Sequence, residues 1–288
     1  MADIKITGKL IATPRAATKI YSLKAPTVNE KAVRALAGQF GMSADAKSGA
    51  VTSDVDKLTY LEGHLELTMY RASGGIRFID RARWQVDDLK TDFKMEDAEA
   101  TRFAQSFVKK ANIAPSAEMK FLKAARLRVG EATEGGKEAS ERTIDVAVAL
   151  QRQVDKVPVD GPGGKVVVYL DRDGKPTGLE KIWRETAGVY RKAAAYRTPQ
   201  NAIDDMAAHF KAKRATIEIQ EMRFCYFEQG WRSKQQYLQP AYVIFGMLTS
   251  PDSRIRKRTI YVAPALSNGV GRITPPLARK PSQAGRAG

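Results

Sequence analysis

Apolar residues recur every three or four positions in three separated stretches, and each stretch leads into sequence of a different rhythm. In "TVNEKAVRALAGQFG", Val33, Leu36, Ala37 and Phe40 fall on one face of a helix. Thr27 and Glu30 read as a capping box, and Gly41 as a left-handed stop. In "MEDAEATRFAQSFVKKAN", Ala100, Phe103, Ala104 and Phe107 make the stripe. Acids Glu96, Asp97 and Glu99 open this helix and Lys109 and Lys110 close it, which complements the helix dipole. In "TPQNAIDDMAAHFKAK", Thr198 caps, Pro199 takes the first helical position, and Ile203, Met206, Ala207 and Phe210 form the stripe.

Between and after these helices the period changes to two. Leu65, Leu67 and Met69 alternate with polar residues ahead of a Ser73-Gly74-Gly75 turn. Later runs such as "TIDVAVALQRQV", "KVVVYL", "TIEIQEMRFCYF", "AYVIFGMLT" and "RTIYVAPAL" are rich in Val, Ile, Tyr and Phe. Helices and strands are segregated rather than strictly alternating, which predicts an α+β fold of tandem units, one helix on antiparallel strands each. The expected organisation is an N-terminal arm or strand over 1–26 and helix-plus-strand units over 27–93, 94–192 and 193–266. A basic tail over 267–288 is expected to be disordered.

Composition adds a bias towards acidic partners. Against 32 Asp and Glu the 288 residues carry 48 Lys and Arg, a formal charge of +16. Arg272, Arg279, Lys280 and Arg286 contribute to it from the tail. Hydrophobic residues, at 43%, suffice for a large core. The single cysteine, Cys225, excludes an internal disulfide framework. No run approaches the roughly 20 apolar residues of a membrane span, and "MADIKITGKLIA" has no apolar signal-peptide core.

One stretch, "VPVDGPGGKVVVYLDRDG" (157–174), imitates two ligand sites. A phosphate loop needs a hydroxyl residue after Gly-Lys and then a helix; here Val166 and strand sequence follow Gly164-Lys165. A calcium loop counted back from Gly174 would begin at Tyr169, which is no ligand. A glycine hairpin and an Asp-Gly turn account for it better.

His64 and His209 have no second histidine or cysteine at ligand spacing. Cys225 reads as a strand residue, and no Gly-x-Ser-x-Gly elbow occurs. No catalytic residue, metal ligand or cofactor is therefore expected. Arg77, Arg81 and Arg83, Arg126 and Arg128, and the cluster Arg254, Arg256, Lys257 and Arg258 are the candidates for holding phosphates.

The second helix and the strands after it resemble the PepSY-like modules of bacterial envelope proteins, including the YycI-type regulators. The likeness rests on Gln153-Val-Asp-Lys-Val-Pro-Val159, Gly163-Gly164, Asp171 to Gly174 and Trp183-Arg184, and on "YFEQGWRSKQQYLQPAYVIFG" (226–246). It covers roughly 95–266 and more faintly 27–93. It implies a regulatory, and in some cases inhibitory, module outside the cytoplasm that contacts a protease, a sensor or an envelope component. It implies no catalytic residues. The reading is a non-enzymatic protein-binding module working through sheet edges and hairpin tips. Pro158, Asp160, Gly163 and Gly164, with Tyr237 and Tyr242, are its candidate contacts. The alternatives are polyanion or nucleic-acid binding through the arginine-rich faces, and an unrecognised hydrolase with a polar pocket near His64 or His209.

Overall fold

A computed structural model describes residues 3–14, 18–45, 48–83, 92–131, 140–192, 195–210, 216–249, 256–270 and 273. In chain order the first elements are β1 (Asp3–Ile6), β2 (Lys19–Leu23), α1 (Glu30–Ala37), β3 (Ala50–Ser53), β4 (Lys57–Glu62), β5 (Leu65–Tyr70) and β6 (Ile76–Asp80). Then come α2 (Asp97–Lys110), β7 (Met119–Glu131), β8 (Ser140–Val154), β9 (Val157–Asp160), β10 (Lys165–Leu170), β11 (Pro176–Ile182) and β12 (Thr186–Lys192). The last are α3 (Pro199–Phe210), β13 (Thr216–Phe227), β14 (Tyr237–Leu238), β15 (Pro240–Thr249) and β16 (Arg256–Pro264). The class is α+β with antiparallel sheets, as the pattern predicts. Among the described residues no helix is long and apolar enough to cross a membrane.

Two compact units form. The larger holds Tyr21–Tyr190 and Tyr226–Leu238; the smaller gathers Met1–Ile20, Arg191–Cys225 and Gln239–Gly288. The segments 27–93 and 94–190 thus fold together in the larger unit. The reason is one pairing: β6 lies antiparallel to β11, from Ile79↔Gly178 to Ile76↔Lys181, and makes one sheet of both segments.

That sheet runs β9-β8-β10-β11-β6-β5-β4-β3, with β7 also on β8. Its helix-facing side is built in rows of directly opposed residues. Leu67, Phe78, Leu179, Val168 and Val148 make one row across five strands. Met69, Ile76, Lys181, Val166 and Leu150 make the next. α1 covers the β4–β5 end with Val33, Ala37 and, just beyond it, Phe40; α2 covers β8 and β10 with Ala100, Ala104 and Val108. The alternation of Leu65, Leu67 and Met69 is the sequence signature of this arrangement, since successive strand residues face opposite sides.

The helix ends mostly follow their side chains. α1 corrects the expected capping box: Asn29, not Thr27, is the cap, and its Oδ1 accepts from the Ala32 N–H at 2.8 Å. Asn caps as well as Thr does, and starting at Glu30 leaves Thr27 two residues too early. Gly41 does adopt the left-handed conformation, with φ of 76°. At α3, Thr198 and Asn201 bond reciprocally: the Asn201 N–H donates to Thr198 Oγ1 at 3.3 Å and the Thr198 N–H to Asn201 Oδ1 at 3.0 Å.

In the smaller unit β1 runs parallel to β13, from Asp3↔Thr216 to Ile6↔Ile219. β15 and β16 form an antiparallel pair beside β13. α3 packs on β16, burying Ala202, Ile203, Met206 and Phe210 against Ile217, Ile219, Ile244 and Ala263.

Candidate functional site

The glycine stretch is not the turn of a hairpin, although Pro162 within it is exposed. The hairpin closes earlier: Val154 pairs with Val157, and the two turn residues Asp155 and Lys156 have φ of 51° and 63°. Two left-handed residues match the twist of the flanking strands. Asp155 Oδ2 accepts from the hydroxyls of Tyr21 at 2.8 Å and Tyr226 at 3.1 Å. β9 and β10 then both join β8 rather than each other. The loop from Gly161 to Gly164 that links them is packed against the chain at Glu228. The Gly163 N–H donates to the Glu228 carbonyl at 3.0 Å, and the Glu228 N–H donates to the Asp160 carbonyl at 2.9 Å. A Cβ on Gly163 would stand 2.7 Å from the Gln229 carbonyl oxygen, so only glycine permits this approach. Asp160 is held locally, accepting from the Gly161 N–H at 2.7 Å, and Pro158 is half-buried.

Glu228 is the centre of a buried ionic cluster. Its side chain is fully buried, and burial pushes its carboxyl above the usual range while Arg184 pulls it back. Arg184 gives Glu228 Oε1 its backbone N–H at 2.8 Å and Nη1 at 3.2 Å. The same guanidinium donates to the carbonyls of Gln229, Gly230 and Ser233 at 2.7, 2.9 and 2.6 Å. Arg152, 2% exposed, donates to the Arg184 carbonyl at 2.7 Å and to Glu118 Oε2 at 2.8 Å. Its guanidinium lies 5.1 Å from the Trp183 ring centre. These contacts clamp Glu228 to Ser233 onto the end of β11. Sequence reading singled out Trp183-Arg184 and the stretch that holds Glu228 only as parts of a likeness and missed Arg152, 76 positions before Glu228 in the chain.

Beside the clamp lie two cavities that share Trp183 and Glu185 in their walls. One, of about 430 Å³, lies under the loop that follows α2, with Ile113, Glu118, Arg152, Lys181, Trp183 and Glu185 in its wall. The other, of about 300 Å³, lies ahead of α1, with Lys24, Pro26, Met69, Lys181, Trp183 and Glu185 in its wall. Lys181 belongs to both. Burial pushes its ammonium below the usual lysine range, against the opposing pull of Glu185 and Glu228.

A third concavity, about 900 Å³, runs between the outer side of α2 and the start of β7, along Thr101, Gln105, Lys109, Met119 and Phe121. Its strand, β7, pairs only with β8 among the described residues, so its other edge is open. Phe121 and Leu122, at a register shift in the ladder, are 43% and 41% exposed. An open edge with exposed apolar side chains is a template for another strand.

The remaining candidates are dispersed. Tyr242 is fully buried, its hydroxyl donating to the Arg197 carbonyl at 2.7 Å. Tyr237 pairs with Ser22 and its ring lies 4.7 Å from that of Tyr190. Arg254 lies outside the described residues. Arg256, Lys257 and Arg258 are exposed at the start of β16, with Arg256 2.5 Å from Glu218. The five other arginines read as phosphate holders, outside the 254–258 cluster, each face a carboxylate. Arg77 meets Glu180 at 3.5 Å, Arg83 meets Asp171 at 2.5 Å and Arg128 meets Glu141 at 3.3 Å; Arg81 meets Glu66 and Arg126 meets Asp97. His64 lies 3.6 Å from Asp80, His209 packs beside Tyr261, and neither lines the three cavities above. Among the described residues no three His, Cys, Asp or Glu side chains cluster as a metal site.

The architecture defines an α+β protein with an open-edged antiparallel sheet. A crystal structure of an uncharacterized protein from Eubacterium rectale shares the fold, with a TM-score of 0.53 at 11% identity over 95% of this chain and 90% of that one. No protein-family model matches the chain. Two sequences named elongation factor Ts, from Xylella fastidiosa strains 9a5c and Temecula1, are 24% and 25% identical over 185 residues. That match covers 62% of this chain, and the chain spans 58% of the length of those relatives.

Proposed function

We propose that this protein is a non-catalytic binding module that takes up an extended segment of another protein by adding it to the open edge of β7. The observation that carries the reading is the juxtaposition of that edge with the groove along α2. A strand added there would satisfy backbone groups on both chains and drop alternate side chains beside Phe121 and Met119. The surroundings favour an acidic segment: Lys120 and Lys123 are exposed on the edge strand, and Lys109 stands on the groove. The PepSY-like resemblance supports a regulatory role for such binding, with a protease, sensor or envelope component as the partner class.

Selection from a phage-displayed library of linear peptides tests it. Enrichment of peptides alternating apolar and acidic residues is expected, and Phe121→Asp/Leu122→Asp should abolish their binding without lowering Tm. No enrichment, or binding that survives the double variant, overturns it. The exposed Arg256, Lys257 and Arg258 favour a second reading, polyanion binding. Retention on heparin at low ionic strength, lost in an R256A/K257A/R258A variant, would support that reading, because phosphate- or sulfate-driven affinity is greatest there.

A further inference from the structure

The row Met69, Ile76, Lys181, Val166 and Leu150 contains one residue that packing does not explain. Its other four members are apolar and face the helices. A lysine at such a position loses hydration and gains nothing from the core. Most half-buried lysines answer this with a carboxylate. Among the described residues the Lys181 ammonium takes part in no hydrogen bond or ion pair.

Each of the other charges around it has an oppositely charged neighbour, although Glu228 Oε2 is buried without a hydrogen bond. Glu118 receives Arg152 at 2.8 Å, Glu185 receives Lys24 at 3.0 Å, and Arg184 meets the buried Glu228. Lys181 is the cation left over, and it stands in the walls of both cavities. Apolar side chains stand among polar ones in both walls, Pro26 and Met69 in one, Ile113 and Ala114 in the other, and Trp183 in both.

We propose that Lys181 is the anchor of a small-molecule site that binds a carboxylate carried on an apolar body. One negative charge completes the balance. A phosphate dianion would exceed it and lie against Glu118 and Glu185. Cavities of about 430 and 300 Å³ are of the size that small organic ligands occupy. The site is separate from the β7 edge and stands or falls independently of it.

The test uses the full chain, carbon-13 labelled at lysine, with hydrocinnamate, its amide and inorganic phosphate as probes. Hydrocinnamate should shift the Lys181 Cε resonance in a saturable way and raise Tm. The amide, which has the same body without the charge, should do neither, and phosphate should do neither. Lys181→Met should bind hydrocinnamate at least ~10-fold more weakly, as expected for loss of a charge-assisted contact. It should also raise the Tm of the unliganded protein by removing an uncompensated cation. Equal effects of acid and amide, effects of phosphate matching the acid, or undiminished binding by Lys181→Met would each overturn the proposal. A Lys181 resonance unmoved by hydrocinnamate in the unmodified protein would do so without any variant.

Discussion

Glu228 shows how much can depend on one residue that a sequence leaves unmarked. Its carboxylate is held by Arg184, whose guanidinium also serves three backbone carbonyls. Arg184→Ala removes all of these at once and strands a buried charge, so a loss of about 3–5 kcal/mol is expected in urea unfolding. Glu228→Gln keeps an acceptor for the Arg184 N–H and leaves the three carbonyl contacts in place, but takes the counter-charge from the buried Arg184 and Arg152, so it too should lower the urea midpoint. Gly163→Ala forces a methyl to within 2.7 Å of the Gln229 carbonyl and should destabilise by about 1–3 kcal/mol. Gly163 was legible as a turn residue. Its need for close approach was not, because the Glu228 backbone it touches arrives from 65 positions later.

At the scale of elements, local signals located most helices and strands, and failed where a neighbour decided the outcome. α2 and α3 begin at or next to the residues the pattern indicates, since charges and caps act within a turn. The glycines after β8 point to a hairpin in the wrong place. Asp155-Lys156 carries no glycine, and the turn is held from outside by Tyr21 and Tyr226. Lys156→Gly should therefore stabilise the protein by about 0.5–1 kcal/mol, because a left-handed lysine is strained where glycine is not. Equilibrium unfolding would measure it, with Asp155 left in place to keep both tyrosine bonds. Asn29→Ala should cost about 1 kcal/mol by uncapping α1, seen as a lower urea midpoint with an unchanged slope.

For the molecule as a whole, pH is the informative variable. Asp145, on β8, is 4% exposed; burial raises its carboxyl to about 7, and only a hydrogen bond from Thr177 at 2.8 Å opposes that. A folded-state pKa above the unfolded one means that the native protein binds the proton more tightly. Stability should thus fall as pH rises from about 4 towards 7, by at most about 1.4 kcal/mol for each pH unit crossed. Asp145→Asn should remove this part of the slope and raise Tm at pH 8. The difference between the two Tm-versus-pH curves isolates it from other groups.

The amino-acid pattern by itself determined the class, α+β with antiparallel strands, together with the helices α1, α2 and α3 and the strand, rather than a helix, that follows Gly164. These follow from periodicity and spacing, which are properties of neighbouring residues. The tertiary structure alone decided that β6 joins β11 and merges two segments into one sheet. It alone decided that the alternating arginines face carboxylates and that Gly163 and Gly164 are buried. It alone placed Lys181 in an apolar row and in the walls of two cavities. Each of these is set by strand register between distant segments, and a shift of one residue would turn every such side chain to the other face.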